Sequence, residues 1–196
     1  LPAAQKDDLN VIIEEIAGIE KLIRNFLAYS RTLEINTELV SPSAVVDGAL
    51  RMLAPDCENR RVRLELYRRQ ELPAICLDPE KVTVVLVNLV SNSIDAIENG
   101  NGYVCISEKE VYQSRLGHAV VIEVHDNGKG MEKFVRERLF EPFFTTKDTG
   151  NGLGLCFARQ VVEAHGGTLT FSSHKNMGTV FTVTLPCGRE SCRPLV

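Results

Sequence analysis

Two asparagines in an apolar stretch, Asn88 and Asn92, have the type and spacing to bind a metal ion. On a helix, residues four apart lie on one face, so both amides would project in the same direction. An amide oxygen is a neutral, hard ligand that suits Mg²⁺ when water and phosphate oxygens complete its coordination. The alternative is a pair of solvated or capping asparagines on an ordinary helix.

A glycine-rich segment further along the chain, Gly150-Asn-Gly152-Leu-Gly154-Leu155, has the composition of a phosphate-binding turn. It is not a Walker A loop, since no Gly-Lys-Ser/Thr follows, and its spacing is not that of a dinucleotide fingerprint. A helix that begins at about Gly152 would direct unpaired N–H groups and its positive end at phosphate oxygens. A glycine link into a helix is the alternative.

Between these segments lies a strand that ends in a carboxylate. The strand predicted over residues 120–126 ends at Asp126, and Gly128 and Gly130 follow. Asp-x-Gly after a strand is typical of a turn. The glycines would also let the backbone pass close to a ligand and begin a mobile loop.

An aromatic loop follows, Phe140-Glu-Pro-Phe-Phe-Thr-Thr-Lys147. Two adjacent phenylalanines in a polar loop would be costly if they were left in water. The loop is therefore either a satellite of the core or a lid that closes over a ligand and docks its aromatic rings on the domain. In the second case Lys147, with Thr145 or Thr146, could reach phosphate groups.

The remaining pattern predicts the elements that position these residues. Strands are predicted over residues 62–66, 75–77, 103–110, 119–126, 168–172 and 178–185. Helices are predicted from Ser41-Pro42 to about Pro55, from Asp78-Pro79 to about Glu98, and from about Gly152 to a C-cap at His165-Gly166-Gly167, with one or two helical turns near residues 132–139. Runs of strands with separated helices predict an α+β chain, a two-layer α/β sandwich with a mixed, mostly antiparallel sheet and helices on one face.

The chain begins with a pattern that predicts an amphipathic helix over about residues 7–31. Its apolar residues alternate at spacings of three and four, as at Leu9, Ile12, Ile16, Ile19, Ile23 and Phe26. This spacing is typical of the seam of a helix bundle, and a helix this short needs partners to be stable. A break is predicted at residues 35–39.

Composition excludes several classes of function. The chain has 196 residues, a net charge of −4 and an apolar fraction of 44%, which favours an ordinary globular domain and no nucleic-acid binding. It shows no span-length apolar stretch and no signal peptide, so we expect a cytoplasmic fragment without membrane contact, whose parent protein could be anchored in an inner membrane. The six cysteines form no Cys-x-x-Cys pair and are predicted to be reduced thiols.

In this order and spacing, four segments resemble the N, G1, F and G2 boxes of the ATP-binding domain of sensor histidine kinases. That domain belongs to the GHKL superfamily, which includes gyrase, Hsp90 and MutL and shares the Bergerat fold. The resemblance covers residues 41–186. The Glu-Pro-Phe-Phe-Thr-Thr-Lys sequence and Glu163-Ala-His-Gly-Gly167 are similar to the nitrogen-regulation and C4-dicarboxylate types of sensor kinase.

The resemblance implies that the chain binds ATP and Mg²⁺, with Asn92 as the protein ligand of the metal. Asp126 would accept a hydrogen bond from the adenine amine and would reject guanine, which presents a carbonyl there. Thr179 would lie near the base, although a threonine is also common in any strand. Ala96 would leave room for a flat base, and core packing explains it equally well.

Asn88, Asn92 and Lys147 are implied to position the reactants. The full ATP-binding set implied is Asn88, Asn92, Asp95, Ala96, Asp126, Gly128, Gly130, Thr145, Thr146, Lys147, Gly150, Gly152, Leu153, Gly154, Leu155 and Thr179. Asn88 stands where the hydrolysing relatives carry a glutamate, and an amide cannot act as a general base. The resemblance therefore favours phosphoryl transfer to a protein acceptor over hydrolysis.

The same resemblance divides the chain into three parts. Residues 1–36 would be the second helix of a dimerisation and phosphotransfer hairpin, residues 37–187 the catalytic domain, and residues 188–196 a tail. The implied partners are the His-bearing helix of a homodimer and the receiver domain of a response regulator. An ATPase or a serine kinase of the anti-sigma type on the same fold, and a non-enzymatic nucleotide-sensing module, remain as alternatives.

Overall fold

The computed structural model describes residues 33–98, 102–113, 116–147 and 150–188. The amphipathic helix predicted over residues 7–31 and residues 189–196 of the tail lie outside these ranges. Within them, no helix is long and apolar enough to cross a membrane.

The described ranges form seven strands and four helices. The strands are β1 (Glu38–Val40), β2 (Arg63–Arg68), β3 (Ile75–Leu77), β4 (Tyr103–Gln113), β5 (Gly117–Asp126), β6 (Thr168–Ser173) and β7 (Thr179–Pro186). The helices are α1 (Pro42–Arg60), α2 (Pro79–Asp95), α3 (Lys133–Arg138) and α4 (Gly154–Ala164).

Five strands form one sheet in the order β2-β4-β5-β7-β6. Strands β2 and β4 are parallel, and the other neighbours are antiparallel. Alternate residues of the strands, such as Val104 and Ile106 on β4, are buried in one continuous core with α1, α2 and α4. The prediction of a mixed, mostly antiparallel sheet covered by helices is confirmed.

Helix α2 is the central helix of this layer. The Asp78 carboxylate accepts a hydrogen bond from the Lys81 N–H (2.9 Å) and caps the helix, with Pro79 at its first position, as the sequence predicts. The backbone N–H of Asp78 donates to Nε2 of His165 (2.9 Å), which joins the beginning of α2 to the end of α4. His165 therefore has a structural role at a helix end, also as predicted.

Four details of the prediction are wrong. Helix α1 continues through Pro55 to Arg60, because Leu53 and Cys57 on either side of the proline are both buried in the core. Helix α2 ends at Asp95, three residues before the predicted Glu98.

The other two wrong details of the prediction concern β1 and the cysteines. Residues 38–40, within and beside the predicted break, pair antiparallel with β3 as a separate two-stranded sheet. Cys76 is disulfide-bonded, whereas Cys57, Cys105, Cys156 and Cys187 form no disulfide.

Candidate active site

Asp126 lies at the end of β5, where this strand meets β7. Because the two strands pair antiparallel, Asp126 faces Thr179 across the ladder. Its Oδ1 accepts hydrogen bonds from the Gly128 N–H (2.9 Å) and the Thr179 N–H (3.1 Å). The residue is only 6% exposed. Burial raises the pKa of the Asp126 carboxyl, and the backbone N–H groups of Gly128 and Thr179, together with the nearby Ser93 hydroxyl, oppose that rise without cancelling it.

Ser93, on α2, is a residue of this site that sequence reasoning missed. Its hydroxyl is buried and makes no hydrogen bond of acceptable geometry to the described residues. It is nevertheless close enough to Asp126 to lower the pKa of that carboxyl. A buried hydroxyl without a bond partner is uncommon and costs free energy. The sequence signal was its place directly after Asn92, in a helix whose neighbouring face carries the asparagines.

The Asp126 carboxylate and the unpaired Ser93 hydroxyl are suited to hydrogen-bond the exocyclic amine of an adenine. Both backbone bonds to Asp126 end on Oδ1, so Oδ2 can accept from an exocyclic amine. Ala96 closes the end of α2, and its carbonyl accepts from the Lys129 N–H (2.9 Å). An ideal Cβ on Gly128 would lie 2.6 Å from that carbonyl oxygen, so the loop after β5 packs tightly on α2.

A second group of polar side chains, held mainly by ion pairs, includes Asn92 and Asp95 of α2. The Lys147 ammonium from the aromatic loop lies 2.6 Å from Asn92 Oδ1 and 2.5 Å from Asp95 Oδ2. Burial raises the pKa of Asp95, but the bonds and charges of Lys147 and then Arg60 outweigh it, so the pKa is lowered overall. Lys147 and Asn92, separated by 55 positions, are thus brought together.

This place beside Asn92 accepts positive charge, because the ammonium of Lys147 already occupies it. An Mg²⁺ ion held by Asn92 and by phosphate oxygens fits the same donor set. Among the described residues, no group of three or more His, Cys, Asp or Glu side chains could hold a metal ion. With the amide oxygen of Asn92 as its protein ligand, an Mg²⁺ ion would take its remaining ligands from phosphate and water oxygens.

Asn88 does not share the surroundings of Asn92. An ideal Cβ on Gly154 would lie 3.3 Å from Asn88 Oδ1, which places the Asn88 amide against the first turn of α4. That helix begins at Gly154, two residues after the predicted start at Gly152. The Leu153 N–H donates to the Asn151 side chain (3.1 Å). The two asparagines thus face α4 and the aromatic loop, respectively.

Most of the remaining predicted site residues belong to the loops that connect these elements. Thr145 accepts a hydrogen bond from the Lys147 N–H (3.0 Å), and Thr146 is exposed. Leu153 is buried and Leu155 half-buried. A Cβ would approach a neighbouring atom to 2.6 Å or less at four site glycines, namely Gly128, Gly130, Gly150 and Gly152.

The phenylalanines of the aromatic loop differ in their surroundings. Phe140 packs edge-on against Phe171 of β6 (5.8 Å between centroids) and extends the core. Phe144 lies under the guanidinium of Arg138 (4.5 Å). Phe143 is 55% exposed and has a positive φ of 65°. The loop is anchored at its beginning and presents an aromatic ring to solvent at its centre.

Comparison with known proteins points to one family. The profile of the family described as "Histidine kinase-, DNA gyrase B-, and HSP90-like ATPase" matches residues 77–189. The sensor histidine kinase ZraS of Escherichia coli (strain K12) is 31% identical over 176 residues, which cover 90% of this chain and 37% of the relative. The C4-dicarboxylate transport sensor protein DctS of Rhodobacter capsulatus is 39% identical over 150 residues, covering 76% and 22%.

A solved structure supports the same family. The catalytic domain of histidine kinase ThkA superimposes with a TM-score of 0.68 at 26% identity, covering 81% of this chain and 99% of that domain. By contrast, the chain spans 37% and 22% of the length of the two curated relatives described above.

Proposed function

The chain belongs to the family of histidine kinase-, DNA gyrase B-, and HSP90-like ATPases, and on that premise we propose that it is the Mg-ATP-binding catalytic part of a sensor histidine kinase. It transfers the γ-phosphoryl group of ATP to a histidine on the dimerisation helix of the parent homodimer, for relay to a response regulator. In this proposal residues 37–187 are the catalytic domain, and residues 1–36 belong to the dimerisation hairpin.

One observation carries the proposal. The end of β5, two turns of α2, the aromatic loop and the beginning of α4 present their predicted nucleotide-binding side chains in one region, around Asn88, Asn92, Asp126 and Lys147. In this arrangement Asp126 and Ser93 bind the adenine amine. The first turn of α4 and Lys147 bind the phosphates.

Phosphoryl transfer needs little covalent work from the protein. It depends on placing the γ-phosphate in line with its acceptor and on neutralising its charge. Bound Mg²⁺, held by Asn92, would supply part of that neutralisation. Lys147 adds a second positive charge from the loop, and Asn88 carries an amide, which cannot act as a general base to activate water. Transfer to an imidazole of a partner helix is therefore favoured over hydrolysis.

The reaction itself is tested with γ-labelled ATP, Mg²⁺ and a separately prepared dimerisation hairpin that carries the acceptor histidine. We expect label on the wild-type hairpin and none on a hairpin whose histidine is replaced by alanine. Release of free phosphate alone would instead identify an ATP hydrolase, and label on a serine of an added partner would identify a serine kinase. Binding without any transfer would leave a nucleotide-sensing module.

The adenine contact is tested by calorimetry with Mg-ATP. We expect Asp126→Asn to weaken binding by about tenfold to a hundredfold, since a hydrogen bond to a charged group contributes roughly 1.5–3 kcal/mol. Glu123→Gln is the matched control, because Glu123 lies on the same strand but bonds Lys109 instead (2.9 Å). Equal affinity of the wild type and Asp126→Asn would rule out the adenine assignment.

A further inference from the structure

Arg60 contacts the candidate active site from outside all four sequence segments. It is the last residue of α1, and its Nη1 lies 2.5 Å from Asp95 Oδ1. Its Nε also bonds Asp56 one turn earlier (3.1 Å). The other oxygen of Asp95 bonds Lys147, which in turn bonds Asn92. A continuous series of contacts therefore runs from α1 through α2 to the aromatic loop.

The Asp95 carboxylate is shared between two cations, one on each oxygen. Arg60 is held on α1, a long helix packed in the core, whereas Lys147 belongs to an exposed loop. An arginine guanidinium stays charged at any physiological pH, and the hydrogen bond to Asp95 raises the pKa of Arg60 further. The two cations thus differ in their attachment, since the guanidinium is carried by the end of a helix and the ammonium by a loop.

This difference matters once a triphosphate binds. If Lys147 turns from Asp95 towards the phosphates, Asp95 loses one of its two cations. A carboxylate left unpaired there would repel the incoming phosphate charge, because like charges at short range disfavour binding. Arg60 is placed to remain on Asp95 throughout that exchange.

We propose that Arg60 is a positioning residue for Mg-ATP binding. It keeps Asp95 paired when Lys147 of the aromatic loop turns from Asp95 to the phosphates. The proposal rests on the proposed function above. The side chains of Arg60, Asp95 and Lys147 are 48%, 26% and 40% exposed, so solvent screens the interaction and its effect on affinity is modest. A plain structural role, an ion pair at the end of α1, is the competing explanation.

Calorimetry on four proteins separates the two explanations: wild type, Arg60→Ala, Asp95→Asn and the double variant. At low ionic strength we expect Arg60→Ala to weaken Mg-ATP binding about two- to fivefold. Adding Asp95→Asn should restore the affinity, because no carboxylate then needs a cation. Arg63→Ala, an exposed arginine at the beginning of β2, controls for the loss of one positive charge and should bind normally.

Amide hydrogen exchange without nucleotide gives an independent readout. We expect Asp95→Asn to speed exchange in residues 143–147, since Lys147 loses its ionic partner, and Arg60→Ala to leave that loop unchanged. Faster exchange of the aromatic loop in Arg60→Ala would overturn the proposal, because Arg60 would then hold that loop in place directly. If Arg60→Ala proves poorly folded, Arg60→Gln replaces it.

The outcomes also separate this proposal from the proposed function. A wild type that fails to bind Mg-ATP overturns both. A wild type that binds, together with an Arg60→Ala defect that Asp95→Asn does not rescue, overturns the role of Arg60 alone. An unchanged Mg-ATP affinity of Arg60→Ala also overturns the role of Arg60 alone.

Discussion

The two ends of the candidate site are built in different ways. At the Asp126 end, a buried carboxylate is fixed by two backbone N–H groups from Gly128 and Thr179. At the Lys147 end, partly exposed side chains hold one another by ion pairs and one amide contact to Asn92. Buried backbone bonds fix a geometry that the whole sheet supports, whereas exposed ion pairs contribute little and exchange readily. Under the proposed function, the first end would select the base and the second would contact the phosphates.

The largest expected effect on stability comes from a substitution at the Asp126 end, where the backbone of Gly178 packs closely against that of Asp126. An ideal Cβ on Gly178, where φ is +77°, would lie 1.9 Å from the backbone oxygen of Asp126. We expect Gly178→Ala to lower the free energy of unfolding by about 3 kcal/mol or more, measured by urea denaturation.

Gly117 offers the matched control. It also has a positive φ, +66°, but a Cβ there would have no described atom within 4 Å. Gly117→Ala should therefore cost only the backbone strain, about 1 kcal/mol. Equal losses for the two variants would show that the close approach at Asp126 is unimportant.

The next effect concerns the charge on Asp126. Burial raises the pKa of this carboxyl in the folded state, so the folded protein binds the proton more tightly than the unfolded chain does. The folded state is therefore penalised at neutral pH, and the penalty disappears as the pH falls through the folded pKa towards the unfolded value of about 3.9. We expect Asp126→Asn to raise Tm at pH 7, and the gain to vanish below about pH 4.

Glu123→Gln on the same strand should behave in the opposite way. Burial raises the pKa of Glu123, but Lys109 and Ser107 outweigh burial and lower it overall. Its charged form therefore stabilises the folded state at neutral pH, and the substitution should lower Tm there but not at acid pH. Parallel Tm-against-pH curves for the two variants would contradict the contrast between these carboxylates.

The smallest expected effect on stability is at the other end of the site. Lys147→Ala removes the contacts to Asn92 and Asp95, yet Asp95 keeps its pair with Arg60. We expect the free energy of unfolding to change by less than about 0.5 kcal/mol, while Mg-ATP affinity falls. A loss comparable to that of Gly178→Ala would mean that the loop is part of the folded core.

Local sequence signals were strong where neighbours in the chain decide the structure. The cap of α2 at Asp78-Pro79 and the alternating strands β4 and β5 follow from residues within one element. The prediction failed at Pro55, where burial on both sides of the proline outweighs its helix-breaking tendency. It also missed β1, because three residues become a strand only through their pairing with β3.

The sequence by itself determined which chemical groups the chain carries, namely amides on one helix, a carboxylate at the end of a strand and glycines before another helix. Only the tertiary structure decided what each group touches, since pairing of β5 with β7 brings the Thr179 N–H to Asp126 across 53 positions, and packing of α1 on α2 brings Arg60 to Asp95 across 35. The physical reason is that sequence patterns report a residue's own helix or strand, whereas charge and hydrogen-bond partners come from chain segments that meet only when the core is packed.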